Sequence, residues 1–390
     1  MRKLKKSFLG YRRETGKVGV RNHVAIIPSV SCAASTAGMI ASRVKGCTAI
    51  FNQLGCGQVD LDLEQTARTL VGLGRNPNVA AVLVVGLGCE GLSPWKLAED
   101  IAQSRKPVEI IIIQEIGGTV RAVEEGLKTA GKLVEFASKR KREAVGVKEL
   151  VMGIECGGSD ATSGIAANPA VGVASDLLIQ AGGTSIFSET PELIGAEHIL
   201  AKRAVDGDVA KKLLEKVSRF EEKLKSAGLN MRGTQPSPGN IEGGLTTLEE
   251  KSLGCVHKAG SSPLQDVLEY ADAAADKGLY FMDTGGYDIE SIPAMIAGGA
   301  EIIVFTTGRG TPTGAPIAPV LKVTGNSRTY QRMKDNIDMN AGTIIDGSES
   351  IEEVGLRIYE EVLAVASGKQ TKAETLGFIE FGISRVGPTT

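Results

Sequence analysis

Apolar runs in the first third of the chain show no polar alternation. The segments "HVAIIPS" (23–29), "VAAVLVVGLG" (79–88) and "VEIIIIQEIGG" (108–118) hold runs such as "VLVV" and "IIII" that are hydrophobic at successive positions. That is the pattern of strands buried on both faces of a parallel sheet covered by helices. The shorter "CTAIFNQLG" (47–55) belongs with them, and helical patterns follow near 33–44, 60–74, 94–104 and 119–140, the last ending in "KRKRE". Four strand–helix units in succession predict an α/β, Rossmann-like parallel-sheet domain over 23–144. From 145 to 390 the strand candidates "LVMGIE", "TSIFSE", "LYFMD" and "EIIVFTT" predict a larger second α/β domain, expected to carry the chemistry. Its last helix is marked by Ile351, Val354, Ile358, Val362 and Val365 on one face, with Gly368 as the stop. Between about 229 and 264 no strong periodicity is present, and a connection of that length inside a compact domain is usually functional.

Composition narrows the class. At 390 residues, 42% hydrophobic and 23% charged, the chain is an ordinary globular protein with room for two or three cores. A net charge of −2 gives no pull toward nucleic acid or anionic membrane, and no apolar stretch approaches the roughly 20 residues needed to span a bilayer. Residues 1–22 are the exception to this neutrality: Arg2, Lys3, Lys5, Lys6, Arg12, Arg13, Lys17 and Arg21 face only Glu14. The segment reads as a basic arm, solvated or strapped to a partner or an anionic substrate. Six scattered cysteines without a secretion signal indicate reduced thiols and a cytoplasmic protein.

Glycines cluster after the strands: "NQLGCGQ", "GLGCEG", "IECGGSD", "FSETPE", "FMDTGG", "FTTGRGTPTG". In open α/β sheets the carboxyl ends of the strands line the ligand crevice. Cys56, Cys89 and Cys156 are therefore placed to converge on a metal or Fe–S site, with Cys255 and His257 as further ligand candidates, while Cys32 and Cys47 read as structural. A lone cysteine in such a fold is more often a small buried hydrophobe. "GLGCEG" fits a dinucleotide-binding turn, with Glu115 as the ribose acid, but a pyrophosphate would settle beside Glu90. "TTGRGTPTGAP" (306–316) reads either as an anion-binding loop gripping with Arg309 or as a plain turn.

Taken together, "GYRRETGKVGVRN" (10–22), "GCG" (55–57), "GCE" (88–90), "ECGGSD" (155–160), "ANPAVG" (167–172), "SETPE" (188–192), "TTLEEKSLGCVHKAG" (246–260), "FTTGRGTPTG" (305–314) and "DMNAG" (338–342) resemble the altronate and galactarate dehydratases and the related sulfolactate sulfo-lyase large subunit. The resemblance spans nearly the whole chain. It implies elimination of water, or of sulfite, from a small 2-hydroxy acid, with iron as cofactor, either one Fe2+ or an Fe–S cluster. It also implies a separate small subunit, docked by the basic arm; an oligomer is expected.

Such an elimination needs a Lewis acid and a base with a pKa near neutrality. Lys251 and Lys258 are the candidate bases and Glu189 the partner acid. Ser159, Asp160, Asn168, Thr307 and Arg309 are expected to position substrate, with Asp283 and Asp338 as weaker candidates. The distant alternatives are an NAD-dependent dehydrogenase and a non-catalytic two-lobed binding protein.

Overall fold

The computed structural model describes residues 4–390; Arg2 and Lys3 of the basic segment lie outside the described residues. The N-terminal domain is built on a four-stranded parallel sheet. The first two strands of the chain, β1 (Ser7–Arg12) and β2 (Val18–Gly19), precede it, and the sheet itself contains β3 (His23–Pro28), β4 (Cys47–Ala49), β5 (Val79–Gly86) and β6 (Val108–Ile112) in the order β4-β3-β5-β6. β5 is buried along its whole length, as its unbroken apolar run requires.

Residues 7–19 do not form a free arm. β1 pairs antiparallel with β2 and with β7 (Glu143–Gly146), making a three-stranded sheet that closes the N-terminal segment onto the exit of the first domain. Arg21 anchors the same segment. Its guanidinium is 8% exposed, pairs with Glu374 at 2.6 Å, and donates to the carbonyls of Val20, Val365 and Lys369 at 2.8 Å. The charge that looked like a docking element is thus partly spent on tying the two ends of the chain together. Arg21→Met should leave Glu374 and the three carbonyls short of a donor and cost about 3 kcal/mol or more. The check is a lowered denaturant midpoint at an unchanged slope, with Arg21→Lys recovering little because an ammonium cannot reproduce the forked contacts.

The second domain carries seven strands, all paired in parallel: β8 (Val151–Cys156), β9 (Thr184–Phe187), β10 (Leu264–Leu268), β11 (Gly278–Met282), β12 (Ile302–Thr306), β13 (Val320–Thr324) and β14 (Met339–Asn340), in the order β10-β11-β9-β8-β12-β13-β14. From β8 the chain first builds toward β10 and then returns to the other side of β8 with β12. The strand order therefore reverses between β8 and β12, and their carboxyl ends flank the crevice where such sheets bind ligands. The two ends are flush, since Cys156 stands opposite Thr306.

The stretch 229–264 is not a loop. It holds short helices at Met231–Thr234 and Pro238–Glu242 and a longer one at Leu248–His257, capped by the Thr247 side chain on the Glu250 amide. Among the described residues no helix is long and apolar enough to cross a membrane.

Candidate active site

β8 delivers Glu155 and Cys156 to the switch point, both buried. Gly157 follows because nothing larger fits: a Cβ there would lie 2.5 Å from the Asp288 carboxylate. Gly158 then turns the chain through a left-handed conformation with φ +58°. The glycines of "ECGGSD" bring a second acid against the strand end.

Beyond β9 the backbone takes an unusual step. Glu189 has φ +81°, a strained conformation for a side chain of its size. The turn is held by donation of its own N–H to Thr284 Oγ1 at 3.0 Å. It aims the carboxylate back at β8, where Oε2 accepts the Cys156 N–H at 3.1 Å and pairs with the Lys258 ammonium. Glu192, one short turn on, accepts from Cys156 Sγ at 3.0 Å and pairs with Lys251 at 3.0 Å.

The facing wall comes from the helix Leu248–His257. Leu248, Lys251, Cys255 and Lys258 fall at i, i+3, i+7 and i+10, one stripe of a helix. Cys255 Sγ lies 3.8 Å from Cys156 Sγ, and Lys258 Nζ 3.2 Å from the same sulfur. The helix reaches this depth because it crosses the π-helical turn Ser163–Ala167 glycine on glycine: a Cβ on Gly254 would lie 3.0 Å from Gly164 Cα. Asn168 locks the crossing by donating to the Gly254 carbonyl at 2.9 Å while accepting from Thr306 at 2.6 Å.

One ligand atom each of Cys156, Glu189, Glu192 and Cys255 falls within 4.8 Å of the others, and all four residues are buried. A second acidic group, Glu155, Glu189 and Asp288, shares Glu189 with it. Burial and the charge of Glu189 push Glu155 well above the carboxylate range; burial and the charges of Glu189 and Glu192 push Asp288 up to about 8. Glu155 is held at Oε2 by Ser188 and Ser291, and neither its Oε1 nor that of Glu189 has another donor.

Burial opposes charge on Lys258, but Cys156, Cys255, Glu189 and Glu192 outweigh it and hold the ammonium well above the ordinary lysine value. Burial likewise opposes charge on Lys251, and Glu192 outweighs it. In this arrangement the neighbouring acids and thiols offset the burial that was expected to lower the two lysines, and both are counter-ions to the carboxylates. Burial also resists ionisation of Glu192, yet Lys251 and Lys258 pull it down to about 2.

A cavity of about 420 Å³ opens onto this group. Cys156, Ser159, Asp160, Asn168, Lys251 and His257 are among its lining residues. Asp160 spends its carboxylate locally, accepting from Thr162, Ser163 and Asn326. Thr307 and Arg309 do not line it. Thr307 caps its own loop by accepting the Gly310 N–H at 2.9 Å, and Arg309 reaches out to Glu242 at 3.0 Å. Asp283 lies just past the end of β11, bonded to Thr190 and Lys216, and Asp338 accepts from the amides of Lys322 and Lys372.

The cysteine expectation needs correction. Cys56 and Cys89 do not share a ligand group with Cys156; both are exposed, at the strand ends of the other domain. The partner of Cys156 is Cys255, which sequence placed second. His257 is exposed, and among the described residues no group of metal-ligand spacing includes it. Glu192 and Asp288 were missed. The stripe Lys251, Cys255, Lys258 would have revealed the first wall had 248–257 been read as a helix; no spacing in the sequence announces Asp288.

The GLGCEG turn has its own occupant. Glu90 folds back so that Oε2 accepts the Gly88 N–H at 2.6 Å and Oε1 accepts the Leu87 N–H at 3.0 Å and the Ser29 hydroxyl at 2.6 Å. A carboxylate fills the place a pyrophosphate would take.

Residues 10–138 match the family model of the D-galactarate dehydratase/altronate hydrolase second domain, and residues 147–389 match that of the D-galactarate/altronate dehydratase C-terminal domain. The chain is 38% identical over 387 residues to the (2R)-sulfolactate sulfo-lyase subunit beta of Chromohalobacter salexigens, covering 98% of both. It is 37% identical over 395 residues to the altronate dehydratase of Bacillus subtilis, covering 98% of this chain and 78% of that one. It is also 39% identical over 385 residues to the galactarate dehydratase (L-threo-forming) of Escherichia coli, covering 93% and 73%.

Proposed function

This chain belongs to the D-galactarate/altronate dehydratase family and is a lyase, and we propose that it is an iron-dependent hydro-lyase that dehydrates a sugar acid to a 2-keto-3-deoxy acid. The observation that carries the reading is the buried group at the β8–β12 switch point. The contact with Cys255 and burial push the Cys156 thiol well above its ordinary value, so a cation is needed to ionise it. With both thiols ionised, Cys156, Cys255, Glu189 and Glu192 hold four negative charges, and Lys251 and Lys258 neutralise two. Buried charge must be paired, and a divalent ion closes the difference of two. Mixed thiolate and carboxylate donors suit a borderline ion such as Fe2+. Cys156, Cys255 and Glu192 are assigned as its ligands. When bound, iron supplies the Lewis acid that stabilises charge developing on the substrate carboxylate and hydroxyl.

Glu189 keeps Oε1 free of other donors and is assigned as the base for the α-proton, with Lys258 orienting it through Oε2. Lys251, on the cavity wall and held protonated, is the acid for the departing hydroxyl. Ser159 and Asn168 position substrate from the same wall. Thr307 and Arg309 keep only a supporting part, in shaping the loop beside it.

The mutual 98% coverage with a sulfo-lyase subunit supports a second reading, elimination of sulfite from a sulfonated hydroxy acid in concert with a separate small subunit. Free cysteines throughout accord with a cytoplasmic setting. The test is an anaerobic assay with added Fe2+ on aldonic, aldaric and sulfonated hydroxy acids, with and without the small subunit. The first reading expects 2-keto-3-deoxy acid from a sugar acid and no sulfite. Sulfite release with no keto-deoxy product would replace it with the second, and turnover unaffected by iron chelation would remove the metal.

A further inference from the structure

Free cysteine is among the most buried residue types, yet three of the six cysteines here are exposed. They are Cys32, Cys56 and Cys89, and all three stand just past the carboxyl ends of β3, β4 and β5, which are neighbours in the first parallel sheet. That sheet also reverses direction, since the chain moves from β3 out to β4 and then back to β5 on the other side. The three loops that carry these cysteines therefore meet at the switch point of the N-terminal sheet, the position that the lyase group takes in the C-terminal sheet.

The loops that bear them touch. The Ser31 N–H donates to the Leu54 carbonyl at 2.9 Å, and the Leu92 N–H donates to the Gly55 carbonyl at 3.0 Å. A Cβ on Gly55 would lie 2.1 Å from the Ser29 carbonyl oxygen, and one on Gly91 would lie 4.0 Å from Cys56 Cα. Gly55, Gly57 and Gly88 all take left-handed conformations, with φ +107°, +64° and +123°. The backbone is thus bent tightly beside two of the thiols, at glycines where a side chain would be strained. Cys32 sits in the first turn of the helix Ser31–Ala41, whose N-terminal amides receive no side-chain cap. Gln114 donates to Cys89 Sγ at 3.4 Å, the kind of contact that steadies a ligating sulfur.

We propose that Cys32, Cys56 and Cys89 form a second metal site that takes an iron–sulfur cluster, separate from the lyase centre. A single ion is the weaker match: among the described residues, the groups with donor atoms within 4.8 Å of one another are the two of the C-terminal domain, and these three cysteines form no such group. A cluster, with several irons bridged by sulfide, accepts thiolates set wider apart than one ion does. Three thiolates and no fourth leave one cluster iron without a protein ligand, open to the crevice.

The experiment is anaerobic reconstitution of the full-length protein with ferrous iron and sulfide, followed by iron and acid-labile sulfide determination and visible absorption. The wild type should retain iron and sulfide together with a broad visible band. Cys32→Ala, Cys56→Ala and Cys89→Ala should each reduce labile sulfide and the band to background with an unchanged circular dichroism spectrum. Cys47→Ala and Cys255→Ala should keep both. Wild type that binds iron but retains no sulfide overturns the proposal. So does retention of sulfide by all three variants, or a Cys56–Cys89 disulfide as the resting state of the anaerobic protein. Because Cys255→Ala removes an assigned ligand of the lyase centre, its sulfide content separates failure of this site from failure of the proposed lyase mechanism.

Discussion

Replacing Lys258 with methionine is expected to abolish turnover and to lower the unfolding free energy by about 3–5 kcal/mol. Methionine fills nearly the same volume, so packing is not the cause. The ammonium it removes is fully buried, 3.2 Å from Cys156 Sγ and paired with a carboxylate that is also fully buried. Without it Glu189 is left as an uncompensated charge and must take up a proton, which also deprives the reaction of its assigned base. Loss of a preorganised charge at a reacting centre costs about 10²–10³-fold in kcat. The double variant Lys258→Met with Glu189→Gln separates the two roles, since a neutral amide no longer needs a counter-ion. It should regain most of the stability and none of the activity. Stability unchanged in the single variant would show that the pair is not buried as described; activity retained would remove both residues from the mechanism.

The fold was legible where burial is two-sided. β5 follows from a run in which every residue but its last glycine is apolar and all are buried, and β6, β8, β9, β11 and β12 from shorter apolar runs that a polar residue enters or flanks. β13 was not found because Lys322 interrupts "VLKVT". The structure tolerates that lysine only by burying it and giving its ammonium two carbonyls, of Pro312 and Thr313, at 3.0 and 2.8 Å. Burial pushes its pKa down to about 8, with Asp338 opposing. No pattern rule anticipates a strand whose central residue is satisfied by a loop ten residues back.

The candidate site was legible in type and misplaced in geometry. Cysteine after a glycine-rich strand end correctly marked the carboxyl-end crevices, but two sheets means two crevices, and sequence offers no way to assign each thiol to its own. Cys156 was therefore grouped with Cys56 and Cys89 when its neighbour is Cys255. The missing information was the helix Leu248–His257, whose polar, glycine-containing sequence hides a periodicity directed at a polar site rather than at a core. A stripe made of two lysines and a cysteine reads as surface until acids are found opposite it.

Cys156→Ser tests the step on which the iron assignment rests. The hydroxyl is a close isostere and still meets Glu192 and Lys258, so the fold should be retained and the melting temperature nearly unchanged. A serine hydroxyl, however, remains protonated where a thiolate would form, and hard neutral oxygen is a poor replacement for sulfur toward iron. The variant should therefore lose the iron of the lyase centre and lose activity by more than the roughly 10–100-fold that disturbing an outer contact costs. Excess Fe2+ should not restore it. The labile sulfide expected of the N-terminal domain should persist, because Cys156 belongs to the other crevice. Unchanged activity and iron content would remove Cys156 from the ligand set and from the mechanism. Activity lost with iron retained would move Cys156 from ligand to proton-handling group, leaving Cys255 and Glu192 to hold the ion.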